Sequence, residues 1–271
     1  MSDFRARRRV LLKSDFAIAP TREPRATDKI RKDTWNHIFS LPDDVAIRTT
    51  NHNGTLIQEL SDLTCEWLDH CDGSDPVMGA VMLDAHDDFD AAVFNAIVGY
   101  YRLSNSAMRS ALELITIGTW AQTCSRRKEF QRWEKGKSEL SLGRACDGLI
   151  GPTSSLNDEL RRRVKDSLFD QRTPRSKAGW ARRLFGEISD FSHSRPGFTD
   201  FSMRQSNGPV YREPAFRRSM WLQVETMALL FILMLIAKPG TRFSPTVAAL
   251  LGNKSKVQSR VTRAAFRILH P

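Results

Sequence analysis

The sequence predicts an all-α protein: a helical bundle core, a smaller helical region before it and a basic helical extension after it. Three observations carry that reading. Apolar residues recur at helical spacing along most of the chain, no alternating run long enough for a strand stands out, and proline, serine and glycine punctuate the periodic segments. The 41% apolar and 27% charged fractions are those of an ordinary globular chain. A length of 271 residues is enough to bury a substantial core.

Residues 1–33, with the run Arg5-Ala6-Arg7-Arg8-Arg9, read as a basic flexible arm; Asp3, Asp15, Glu23 and Asp28 argue against an organellar presequence. Residues 34–85 read as short helices. Leu56, Ile57, Leu60, Leu63, Cys65, Trp67 and Leu68 form an apolar stripe there, and Asn53-Gly54 and Asp72-Gly73 mark turns. The core is expected over residues 86–238. It starts with one long helix at 88–123, apolar on most sides through Phe94, Tyr101, Met108, Ile115, Val93 and Leu114, and therefore central.

A charged surface helix is expected at 126–139, and two more helices at 155–169 and 176–191. Pro214, at a first helical position, opens the next helix. That helix ends in an apolar run at 226–237, shorter than the roughly twenty residues that cross a bilayer, so a core role and no membrane partner are expected. In the extension, 239–271, Ser244-Pro245 starts a helix and Gly252 stops it. A final helix at 255–269 sets Val257, Val261, Ala265 and Ile268 on one face and Lys256, Arg260, Arg263 and Arg267 on another.

The net charge of +10 conceals a division: +5 over residues 1–33, −10 over 34–125 and +15 over 126–271. A basic C-terminal half suits contact with RNA or another nucleic acid, with Lys256, Arg260, Arg263 and Arg267 as candidate phosphate contacts. It equally suits attraction between the two halves or a charged homodimer interface. Cys65, Cys71, Cys124 and Cys146 lack Cys-x-x-Cys spacing, and no secretory signal precedes them, so reduced thiols in a cytoplasmic protein are expected. Cys65, His70 and Cys71 fit no common zinc spacing, so neither metal nor cofactor is expected. Asp84, Asp87, Asp88 and Asp90, beside His86, are read as complementing the positive end of the long helix rather than as metal ligands.

Asn105, Arg109 and Glu113 share a stripe of the long helix, and Glu225 is a lone carboxylate within the most apolar helix. Charges on a helix destined for a core need partners. These groups are expected either to converge on a pocket or to form an Arg109–Glu113 or Arg109–Glu225 ion pair that fixes helix register. His193 follows at the end of another helix, where the helix dipole favours its protonated form.

Two segments carry a resemblance. Tyr100-Tyr101-Arg102 with Met108-Arg109-Ser110-Ala111-Leu112-Glu113-Leu114, and later Ile188-Ser189-Asp190-Phe191-Ser192-His193-Ser194-Arg195-Pro196-Gly197, resemble two hallmark helices of uncharacterised bacterial helical proteins. Those proteins are similar to the HEPN group (higher eukaryotes and prokaryotes nucleotide-binding), a helical superfamily rich in RNases of phage defence and toxin–antitoxin loci. The resemblance spans residues 86–238 and implies an all-helical fold and RNA as partner. Catalytic members carry an arginine, then four to six intervening residues, then the histidine. Here Gly186, Glu187 and Ile188 hold those positions, so a metal-independent RNase would have to act through His193 with Arg195. The alternative is a non-catalytic interaction or dimerisation module in which the same charges are structural.

Overall fold

Asp75 decides where the bundle's first core helix begins. Its Oδ1 accepts the N–H groups of Val77 (3.0 Å) and Met78 (2.9 Å), so two of the donors that a helix start leaves unpaired are capped there. The computed structural model describes residues 32–174, 176–192 and 209–270. The chain divides into two compact units at residue 41. Of the first unit, Lys32–Trp35 is one α-helical turn and Asn36–Ser40 a π-helical turn.

The second unit is all-α. Where short helices are expected, helix α1, Leu41–Asp69, joins two helical segments across a kink. The kink falls at the Asn53-Gly54 signal, with Asn53 at φ −134° and ψ 20°. The Asn53 amide donates to Thr49 O and to the Tyr211 hydroxyl, both at 3.2 Å, so the kink is held rather than opened into a turn.

The helix expected at 88–123 is two helices, α2 (Met78–Ile97) and α3 (Tyr101–Thr123), folded against each other. Gly99 makes the corner at φ +86°, where a Cβ would lie 2.6 Å from Val210 N. The Tyr101 hydroxyl pins the same corner, donating to Val210 O and accepting from Arg212 N–H, both at 3.1 Å. Because α2 starts at Met78, Asp84, Asp87, Asp88 and Asp90 sit inside the helix and not at its positive end. Their expected role as dipole complement is therefore corrected; Asp75 fills it.

Helix α3 is the hub. Against it pack α2, α4 (Arg127–Glu134), α5 (Leu142–Ile150), α7 (Trp180–Ser192) and α8 (Glu213–Ala237). Helix α6 (Ser154–Val164) instead meets the C-terminal helix. By length and composition α8 could cross a bilayer, with mean hydropathy 2.0 over eighteen residues, but 83% of that window is buried among the other helices. Helix α9 (Pro245–Gly252) starts as expected, with the Ser244 hydroxyl accepting Val247 N–H at 3.3 Å.

Helix α10 runs Arg260–Leu269 and not from residue 255. Ser259 is its N-cap, and Lys256 lies in the preceding turn. One continuous apolar cluster extends from Leu60 and Trp67 on α1 to Phe266 on α10. The stretches expected at 34–85, 86–238 and 239–271 thus contribute to a common core.

Candidate functional site

The buried polar residues expected to converge are separated by the packing of α3 and α8. Ser104 and Asn105 on α3 face Ser219 and Gln223 on α8, and all four are fully buried. Gln223 Nε2 donates to Ser104 Oγ (2.8 Å), the Ser104 and Ser219 hydroxyls are 3.0 Å apart, and Ser219 Oγ donates to Asn105 Oδ1 (3.2 Å). Each hydroxyl has one proton, so the chain has a single direction, from Gln223 through both serines to Asn105. Register between the two helices is set by this uncharged network.

Arg109 turns elsewhere. Its Nε donates to Ser189 Oγ on α7 at 3.0 Å, and its guanidinium lies 4.8 Å above the Phe185 ring. Glu113 is half-buried. Among the described residues neither the Arg109–Glu113 nor the Arg109–Glu225 ion pair forms, because Arg109 meets α7 while Glu225 meets the start of α10. Glu225 Oε1 accepts the backbone N–H groups of Gln258 (2.5 Å) and Ser259 (3.1 Å). Burial pushes its carboxyl above the usual range, only partly offset by those N–H groups and by Arg263. Its Oε2 is buried with no hydrogen-bond partner among the described residues. His193 and Arg195 lie outside the described residues; α7 ends at Ser192, one residue before His193.

The basic stripe of the C-terminal extension is largely engaged within the fold. Lys256 Nζ bonds both carboxylate oxygens of Glu59 on α1 (2.6 and 2.8 Å). Arg263 donates to Val257 O, and Arg267 to Gly252 O at 3.4 Å. Arg260 is exposed.

Unengaged cations concentrate on α4 and the turn after it. Phe130 and Trp133, one turn apart, anchor α4 with ring centroids 5.6 Å apart, which leaves the rest of the helix to solvent. Arg127, Lys128, Arg132, Lys135 and Lys137 are all exposed and have no ion pair among the described residues. Beside them a notch of about 290 Å³ opens between α3, α4 and α5, lined by Trp120, Cys124, Arg126, Glu129, Arg144 and Gly148. Gly148 is required there, since a Cβ would lie 2.1 Å from Trp120 Nε1. Burial raises the Cys124 thiol above its ordinary range against the pull of Arg126, so it presents a neutral S–H, which donates to Gly148 O at 3.5 Å.

A second depression of about 580 Å³ is lined by Arg172, Thr173, Ser176, Lys177 and Arg183. Asp166 holds Lys177 (2.9 Å) and Arg183 (2.8 Å) beside it. Burial alone would raise the Asp166 carboxyl, but Arg183, Lys177 and the Ser167 N–H hold it below the usual range. Helix α5 links the two depressions. Arg144 and Gly148 line the first, and Gly143 and Asp147, one residue back on each turn, bond Arg182 and Gln171 of the segment carrying the second.

No family model matches this sequence, and neither a curated protein nor a solved structure is significantly similar to it. The functional reading therefore rests on geometry and charge. The α4–α5 face escaped the sequence reading because helical spacing treats any charged stripe alike. The signal available was the density of lysine and arginine between residues 126 and 137.

Proposed function

We propose that the chain is a HEPN-like helical protein that binds RNA or another nucleic acid through the α4–α5 face, in phage defence or a toxin–antitoxin system. The observation that carries this is the row of exposed cations Arg127, Lys128, Arg132, Lys135 and Lys137, none with an ion pair among the described residues. Cations facing only water are the ones free to replace the counterions around a phosphate backbone. Arg109 lends support from behind, since it ties α3 to the last turns of the helix that leads into His193. In this reading His193 and Arg195 contact phosphate.

The test is anisotropy of a labelled single-stranded RNA with the full chain between 50 and 200 mM salt. Affinity is expected to fall steeply over that range, by about tenfold or more for several phosphate contacts. Salt-insensitive binding would remove the phosphate reading. If the RNA is also degraded, His193→Ala should abolish the cleavage and keep the binding. A second reading, a helical dimerisation module, draws on Phe94 and Leu103, which are 64% and 56% exposed near the α2–α3 corner. A dimeric mass in solution with no RNA binding would favour it.

A further inference from the structure

In the notch between α3, α4 and α5, Glu129 sits between two arginines from different elements. Its Oε1 accepts from Arg126 Nη1 at 2.9 Å and its Oε2 from Arg144 Nη2 at 3.1 Å. One carboxylate thus occupies a two-guanidinium clamp with an oxygen on each arm. A phosphate, which has more oxygens to accept charge-assisted N–H bonds, can take one from each arm in the same way. Two further side chains line the same space. Trp120 lines it with its indole nitrogen packed against Gly148, and Cys124, whose S–H is taken by Gly148 O, lies beside it. The Arg144 guanidinium lies 6.0 Å above the Trp120 ring, which fixes the second arm.

We propose that this notch is a phosphate seat and that Glu129 is its resident stand-in, displaced when a phosphate group of a nucleic acid enters. The proposal rests on the nucleic-acid reading above and gives it a specific contact. Exchange is cheap because the grip is exposed: the Arg126, Arg144 and Glu129 side chains are 57%, 60% and 33% accessible. Ion pairs of that exposure hold their partners weakly. A phosphate brings more negative charge and more acceptor oxygens than a carboxylate. At about 290 Å³ the notch is at the lower edge of the range for small-molecule pockets, the size for one nucleotide unit.

The experiment uses the full chain with two probes, inorganic phosphate and a single-stranded oligouridylate. The indole N–H resonance of Trp120, identified by its disappearance in Trp120→Phe, is followed by NMR as inorganic phosphate is added. It is expected to shift in the wild type, and to shift at several-fold lower phosphate in Glu129→Gln. For the oligouridylate, Glu129→Gln is expected to bind several-fold tighter, and Arg126→Gln and Arg144→Gln about tenfold weaker. Glu134→Gln is the control for net charge, because Glu134 is on the same helix but has no arginine partner among the described residues. It should change affinity much less than Glu129→Gln.

An unmoved Trp120 resonance, or equal effects of the two Gln variants, overturns the seat. If oligouridylate still binds with the expected salt dependence, only the seat has failed. A Trp120 shift with phosphate but no oligouridylate binding keeps the seat and removes the nucleic-acid reading.

Discussion

Glu225 holds one carboxylate oxygen against two backbone N–H groups and leaves the other buried without a partner among the described residues. A fully ionised carboxylate is poorly served there, and burial accordingly raises its proton affinity in the folded chain. The sign of the consequence follows from linkage. A group that holds its proton more tightly folded than unfolded stabilises the fold fully below its unfolded pKa, and that stabilisation fades as pH rises through the folded value. Glu225→Gln keeps the accepting oxygen and cannot ionise. The difference in urea-unfolding free energy between wild type and Glu225→Gln should therefore move in favour of the variant from acidic pH toward neutrality. A pH-independent difference would mean that folding does not change how tightly Glu225 holds its proton. Its role is to tie the start of α10 to the middle of α8, which no spacing rule on α8 alone discloses.

At the scale of elements, the α2–α3 corner shows what periodicity can and cannot report. Both helices are apolar on most sides, so the pattern passes through Val98-Gly99-Tyr100 without interruption. Only the glycine marked the break, and its necessity comes from a distant segment: the backbone of Val210 occupies the space where a Cβ would stand. Gly99→Ala should lower stability by about 1–2 kcal/mol from the left-handed backbone alone, with the displacement of Val210 added to that. Gly73→Ala, where a Cβ meets open space, should change little; equal midpoints in thermal melts would show that the corner tolerates a side chain. Capping signals travelled better. Ser244-Pro245 starts α9 as read, because its main determinant is local, whereas α10 starts five residues later than read, since its entry is bonded by Glu225 from another helix. The same distinction applies to the candidate site. Asn105, Arg109, Glu113 and Glu225 were recognisable as polar residues in apolar surroundings, but their partners depended on which helices lay opposite.

Across the whole molecule, the excess of positive charge does two different jobs. Toward the C-terminus it meets the acidic first half: Lys256 takes both oxygens of Glu59, and Lys238, just after α8, pairs with Asp75 at 3.2 Å. On α4 it meets solvent. The two sets should therefore separate experimentally. Replacing Arg127, Arg132 and Lys135 together by Gln should leave thermal stability near wild type, since none has an ion-pair partner among the described residues. The same variant should weaken RNA binding by about tenfold or more and lower the salt slope by about one for each phosphate that it no longer neutralises. Lys256→Ala should do the reverse, with affinity retained and stability reduced by no more than about 1 kcal/mol, because the pair is partly exposed. Weaker binding in Lys256→Ala with α4 unimportant would relocate the interface to the C-terminal extension. That outcome would also require the Glu59 pair to open on binding, which a Glu59→Gln variant with raised affinity would reveal.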